Sequence, residues 1–300
     1  MASVGRGDTK PGRSGSPVAE PRSLLIPASV WYGVLLVVPL AIMVAYAFAR
    51  KEGFSTFIFG FNLENWQRVW DPIYRRVFTN TFVLALMGTV GCLLIGYPLA
   101  YWLATRVRKH KTVIMLLVIV PFWTSLLVRT YAWVLILSGE GPVSRFLEGA
   151  GLISSPLGIL YTRNAVLVGL IYDYLPLMVF PLYVSLDRLD RRLLEASRDL
   201  GAGRWRTFRG VTLPLTMPGI ITGSLLVFIP MMGEYVVPSI LGGARSFTVG
   251  SLVAFQFLTS INWAFGAAIS MTLILLMLVI IFLYLKAIGR QVETNVGAAL

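Results

Sequence analysis

The segment LDRLDRRLLEASRDLGAGRWRTFRGVTLPLTMPGI, residues 186–220, decides how this chain is read. Leu186, Leu189, Leu193, Ser197 and Leu200 recur at helical spacing, with Arg and Asp on the opposite face. Asp187 and Arg191 stand four residues apart, where helical side chains can pair, and Gly201 occupies the place of a C-terminal cap. The pattern predicts a short amphipathic helix ending at Gly201, a second helix over residues 204–209, and a return toward an apolar phase at Pro214. A basic amphipathic helix suits anionic lipid headgroups as well as a groove on another protein, and composition alone does not separate the two.

Outward from this loop the chain is apolar in both directions. Six stretches reach the roughly 20 residues that a bilayer core requires: 29–49, 78–104, 112–137, 164–185, 217–241 and 264–286. The first has no small-residue cleavage site, so it is expected to be retained as a helix. An even number of spans puts both termini on one side. Of the 26 Lys and Arg residues, 17 fall on the side of the termini and of residues 186–216, and 8 on the other. The positive-inside rule then predicts cytoplasmic termini. Residues 1–27, rich in Gly, Ser, Pro and Arg, are expected to be a disordered cytoplasmic tail. Residues 28–290 form the six-helix transmembrane domain with its cytoplasmic loop at 186–216, and 291–300 a C-terminal tail. Pro39, Pro98, Pro121, Pro176, Pro181, Pro230 and Pro238 fall in the spans, where proline removes a backbone donor and kinks the helix. Gly219 and Gly223 form a small-xxx-small face suited to close helix packing.

Composition excludes other classes. At 56% hydrophobic and 13% charged residues, with mean hydropathy +0.75, the chain is too apolar for one soluble core, and membrane lipid must be its solvent. The net charge of +12 sits at the ends of apolar segments as a topology signal, so nucleic acid is not expected as a partner. Cys92 and His110 are the only residues of their kinds, too few for a disulfide or a Cys/His metal cluster. No G-x-x-x-x-G-K-[ST] loop occurs, so no nucleotide cofactor is expected on this chain.

The central loop closely resembles the EAA loop of ABC importer permeases. Glu195, Ala196 and Ser197 are followed after three residues by Gly201 and after nine more by Val211, Thr212, Leu213 and Pro214. Ser197 stands for the second Ala of the family pattern and Val211 for its Ile. Residues YPLAYWLA (97–104), PFWTSLLVRTYAW (121–133), LLEASRDLGA (193–202), LTMPGI (215–220) and GEYVVPSILGG (233–243) resemble the spermidine/putrescine permease family, in particular its first permease subunit. The likeness covers residues 62–290. It implies an all-α membrane protein with the type I ABC importer permease fold, in a bacterial inner membrane. It also implies a second permease of the same fold, two cytoplasmic ATPase subunits that carry ATP and Mg, and an extracytoplasmic substrate-binding protein. The loop helix would then dock on an ATPase through Glu195, Ala196, Ser197, Gly201, Leu213 and Pro214.

Arg129, Asp173 and Glu234 are the charges inside the expected spans. A charge at a helix centre costs roughly 2.5–3.5 kcal/mol, so such residues should face a partner or a watery path. Counted from the outer helix ends all three lie at similar depth. Two carboxylates against one guanidinium leave net negative charge, and Trp123, Tyr131, Trp133, Tyr174 and Tyr235 offer aromatic faces to an ammonium. The same residues also fit a structural Arg–acid strut with an interfacial aromatic belt. The expected cargo is a polyamine such as putrescine or spermidine. The related families extend to opines, γ-aminobutyrate and other charged solutes, and Arg129 would suit a carboxylate. A secondary transporter would have no use for an ATPase-docking loop, and no clear inverted repeat is visible. A membrane-embedded enzyme would need a catalytic constellation, and no motif accompanies Asp173 and Glu234 to supply one.

Overall fold

The computed structural model describes residues 22–53, 56–107, 109–243 and 246–297, with side chains for all of these but 22–28, Arg191 and 287–297. Most of the tail expected at residues 1–27 lies outside the described residues. The chain divides into two units, residues 1–43 and 44–300. In the first, α1 (Arg22–Phe48) begins, and its apolar part Ser29–Phe48 is long enough to cross a membrane.

In the second unit, the end of α1 leads into a small antiparallel hairpin, β1 (Arg50–Glu52) and β2 (Thr56–Ile58). Asn65 Nδ2 donates to the carbonyls of Ala47 and Ala49 at 3.4 and 2.8 Å, closing the helix end that has no further turn to bond. α2 (Glu64–Val69) and the long α3 (Pro72–Thr105) follow. Pro72 is at the first helical position, where its missing N–H is not needed. The 34 residues of α3 extend about 51 Å at 1.5 Å each, well beyond the apolar layer. Its hydroxyls are harmless there because they bond within the helix: Thr81 to the Val77 carbonyl and Thr89 to that of Ala85, at 2.8 and 2.7 Å.

The third expected span is not one straight helix. α4 (Lys111–Ile119) runs into a 3-10 turn, Val120–Trp123, and α5 (Leu126–Leu137) then departs, the two halves meeting at 93°. Pro121 in the tight turn and extended backbone at Thr124 and Ser125 interrupt the helical hydrogen bonds. α6 (Pro142–Gly149) is short, and α7 (Arg163–Asp187) is a continuous span capped by the Thr162 hydroxyl. α8 (Arg191–Asp199), α9 (Arg204–Thr207), a π turn at Phe208–Thr212 and α10 (Leu213–Leu215) build the loop. α11 (Met217–Gly233) is bent by 63° from the segment before it. The fifth expected span, to residue 241, is interrupted at Glu234, whose backbone is extended, and α12 (Val236–Leu241) resumes beyond it. α13 (Val249–Ala254), a π turn to Thr259 and α14 (Trp263–Gly297) complete the chain. Among the described residues four helices are thus span-length, and up to six if each bent pair is one span.

α3, α7 and α11 form the centre of the second unit. Leu103, Leu170, Met178, Leu182 and Met232 are wholly buried among them. Small residues allow this approach: a Cβ on Gly219 would sit 2.5 Å from Ser185 Cβ and 2.8 Å from the Pro181 carbonyl, and one on Gly223 2.8 Å from Met178 Sδ. The small-xxx-small face is therefore the α7–α11 contact, driven by van der Waals fit where lipid offers no hydrophobic gain.

Candidate substrate path and coupling loop

Arg129 on α5 and Asp173 on α7 approach at 3.2 Å, Nε to Oδ1, with side-chain exposures of 11% and 4%. The approach is an ion pair without hydrogen-bond alignment, since neither Arg129 Nε nor either Asp173 oxygen has a hydrogen-bond partner. Arg129 is held by a second group, its Nη1 donating to the Pro121 carbonyl at 2.7 Å. That carbonyl also accepts from the Thr124 hydroxyl, so the corner of the broken helix and the buried acid share one guanidinium.

Glu234 lies in the break between α11 and α12. Its Oε2 accepts from the Tyr174 hydroxyl and its Oε1 from the Val236 N–H, both at 2.8 Å. Both oxygens are engaged, yet no cation pairs with Glu234 among the described residues. Asp173 and Tyr174 are consecutive on α7, so one helical step brings the two carboxylates into a single neighbourhood with one guanidinium. The excess of one negative charge read from the sequence survives in the fold.

The aromatic side chains do not all join. Trp123, Tyr131 and Tyr235 are 82%, 59% and 47% exposed, and none shares a hydrogen bond with either acid among the described residues. Trp133 packs edge-on against Tyr172 at 5.4 Å. Among the described residues Tyr174 is the one of these aromatics that bonds a carboxylate. Two participants were not anticipated: the Pro121 carbonyl and the Val236 N–H. Both are backbone groups at helix breaks, the Pro121 carbonyl accepting the Thr124 N–H at 3.2 Å besides, and the prolines at 121, 230 and 238 are the sequence signal for such breaks.

In the loop, α8 begins at Asp190, whose side chain accepts from the Arg192 N–H at 2.9 Å. Leu186 and Asp187 therefore belong to α7, and the amphipathic helix is shorter than its leucine spacing predicts. Asp187 pairs with Lys111 at the start of α4 at 2.5 Å, and the Arg191 side chain, its expected partner, lies outside the described residues. Gly201 adopts φ +81°, the left-handed cap conformation. Its N–H reaches the Arg198 carbonyl at 2.8 Å and the Ala202 N–H that of Ser197 at 3.1 Å. Ser197 and Thr207 hydroxyls meet at 3.2 Å, fastening α8 to α9.

Glu195 and Ala196 are exposed, and Glu195 has no ion pair among the described residues. Leu200 and Trp205 are 89% and 73% exposed. Between α8 and the ends of α3 and α7 lies a polar cavity of about 590 Å³, lined by Arg106, Asp187, Glu195, Arg198 and Arg204. Phe208 stacks on Trp205 at 5.6 Å and meets Tyr97 of α3 edge-on at 5.7 Å, so the loop is joined by rings to the central helices. Leu213 and Pro214 continue this link into α11.

Apolar spans around a buried, incompletely neutralised charge cluster, with a patterned loop wired into their centre, define a multi-pass membrane permease. Residues 94–291 match the binding-protein-dependent transport system inner membrane component family, and the chain belongs to it as an ABC importer permease subunit. It is 40% identical over 266 residues to the spermidine/putrescine transport system permease protein PotB of Haemophilus influenzae, covering 88% of this chain and 93% of that one. PotB of Escherichia coli is equally similar, over 88% and 97%. Among solved structures, a bacterial ABC transporter involved in import of the acidic polysaccharide alginate superposes with TM-score 0.70 at 16% identity, covering 90% of this chain and 94% of that one. That likeness speaks for the fold alone.

Proposed function

We propose that this chain is the permease subunit of an importer for small organic cations of the putrescine and spermidine type. The observation that carries the cargo is the 40% identity to spermidine/putrescine permeases over nearly their whole length. The excess carboxylate at Asp173 and Glu234 supports it chemically. Arg129, the group that would suit a carboxylate-bearing solute, is already occupied by Asp173 and Pro121.

The partners follow from the reading: a second permease of the same fold, two ATPase subunits that bind ATP and Mg, and an extracytoplasmic binding protein. The host membrane is a bacterial inner membrane with both termini and the 186–216 loop in the cytoplasm, as the distribution of Lys and Arg supports. Exposed Leu200 and Trp205 with Glu195, which has no ion pair among the described residues, offer an apolar patch with a charged anchor, suited to a groove on an ATPase. Closure of the ATPase pair draws the loops together, and Phe208 and Pro214 pass that movement to α3 and α11. The path opens to the loaded binding protein and then returns inward. This chain performs no covalent chemistry.

The test is uptake of labelled putrescine and spermidine by the whole complex in cells lacking polyamine import, with opine and γ-aminobutyrate as competitors, for the native chain and Glu195→Ala. Saturable polyamine uptake lost in Glu195→Ala is the expected result. Uptake dominated by an amino-acid-like solute would overturn the cargo, and uptake indifferent to both Glu195 and the ATPases would overturn the coupling loop.

A further inference from the structure

We propose that Arg129 is a resident counter-cation: it holds the charge of Asp173 while the path is empty and gives way there to a primary ammonium group of the cargo. The inference rests on the cargo reading above and adds to it the specific role of the Arg129–Asp173 pair.

A carboxylate 4% exposed with neither oxygen hydrogen-bonded is an unusual arrangement, because a desolvated, unsatisfied acceptor is costly. A permanent structural pair would be expected to align, with two parallel N–H···O bonds from the guanidinium fork. Here the fork is turned elsewhere: Nη1 serves the Pro121 carbonyl at 2.7 Å, and the guanidinium lies 5.9 Å from the Phe122 ring centre. Arg129 therefore has an anchorage that survives loss of Asp173, on the Pro121 carbonyl at the helix break, which accepts the Thr124 N–H at 3.2 Å as well. Asp173 has no such second partner among the described residues. The contact that lacks hydrogen-bond alignment is the one between the two charges.

Glu234 is arranged differently. Its two oxygens are fixed by Tyr174 and Val236, while among the described residues no cation pairs with its charge. An approaching diammonium thus meets one carboxylate already held in place and a second covered by a loosely aligned guanidinium. One ammonium neutralises Glu234. The other, a compact charge with three donors, can satisfy the orphan oxygen of Asp173 better than a misaligned fork can. The displaced guanidinium remains on Pro121 and repels any further positive charge. Arg129 is then a specificity-determining residue that disfavours triamines relative to diamines, and it restores the empty state when the cargo leaves.

The test is reconstituted uptake by the full complex, with its binding protein, expressed per assembled transporter for spermidine and for putrescine. Because one binding protein serves all variants, a change in the ratio arises in the permease. Arg129→Gln is expected to raise the spermidine to putrescine ratio of kcat/KM by roughly tenfold, the order one unit charge produces a few ångströms away in a partly solvated site. Arg129→Lys should stay near the native ratio. A ratio unchanged in Arg129→Gln would overturn the proposal and leave Arg129 a strut. Should Arg129→Gln fail to assemble, the paired change Arg129→Gln with Asp173→Asn leaves no buried lone charge. It should cut uptake of both amines by about tenfold or more per complex, and native rates from it would equally overturn the proposal. A native complex that moves neither amine would overturn the cargo reading itself, and this inference with it.

Discussion

The Tyr97 hydroxyl on α3 and the Thr216 hydroxyl at the threshold of α11 are hydrogen-bonded at 3.0 Å, buried and 119 residues apart. The Thr216 hydroxyl also donates within its own turn to the Thr212 carbonyl at 2.9 Å, so the residue that ends the loop is tied to the middle of the bundle. Tyr97→Phe should therefore lower stability by only about 1 kcal/mol, the net value of one such bond. Its larger expected effect is on coupling: ATP hydrolysed per solute moved should rise while ATPase subunits still co-purify. A native ratio of hydrolysis to transport would show that the bond only stabilises.

Much of this architecture is legible in the residues, and the exceptions share a cause. Continuous spans such as α3 and α7 announce themselves by length and apolarity. The cap at Gly201 is likewise visible, because glycine at the end of a helical pattern has a local backbone reason. The break at Glu234 is not, since it depends on a glutamate bonding the Val236 N–H two residues on, an arrangement with no common signature. Asp187 illustrates the same limit: helical spacing offers it Arg191 four residues on, and the fold brings Lys111 to it from 76 residues away, which no local pattern signals. Depth counting did place Arg129, Asp173 and Glu234 at a common level. It could not foresee that Trp123 and Tyr131 would stay exposed, because the 93° bend between α4 and α5 reorients that segment.

The α7–α11 contact predicts unequal tolerance of alanine. At Gly219 the new Cβ meets a backbone carbonyl, Pro181 O at 2.8 Å, as well as Ser185 Cβ at 2.5 Å, and a carbonyl in a packed helix cannot withdraw. At Gly223 the nearest atom is the side-chain Met178 Sδ at 2.8 Å, and the closest backbone atom, the Met178 carbonyl, stands farther off at 3.3 Å. Gly219→Ala should cost about 1–3 kcal/mol, as overpacking does, and Gly223→Ala distinctly less. Thermal unfolding in detergent or nanodiscs would show the order, and equal midpoints would contradict the packing described here.

Gly201 separates backbone strain from steric conflict. Nothing lies within 4 Å of a Cβ placed there, so φ +81° is the sole obstacle to substitution. Gly201→Ala should destabilise the loop by about 1–2 kcal/mol, the cost of the left-handed region for a residue with a Cβ. Asn, which tolerates that region, should recover much of the loss. Co-purification of the proposed ATPase partners reads the effect directly: weakened by Ala, largely restored by Asn. Equal weakening by both would mean that the small size of Gly201, rather than its conformation, matters at the interface.

Glu234 allows charge to be removed without disturbing geometry. In Glu234→Gln the amide oxygen can still accept from the Val236 N–H, and the amide nitrogen can donate to the Tyr174 hydroxyl, so the helix break should persist. Tyr174→Phe does the converse, leaving the charge and removing one donor. If Glu234 serves the cargo by its charge, Glu234→Gln should reduce polyamine uptake by at least about tenfold at unchanged thermal stability, as expected for losing a unit charge in a partly solvated site. Tyr174→Phe should retain most uptake while lowering stability by about 1 kcal/mol. The reverse ranking, with Tyr174→Phe the more damaging to transport, would assign the break a mechanical role and move cargo recognition away from Glu234.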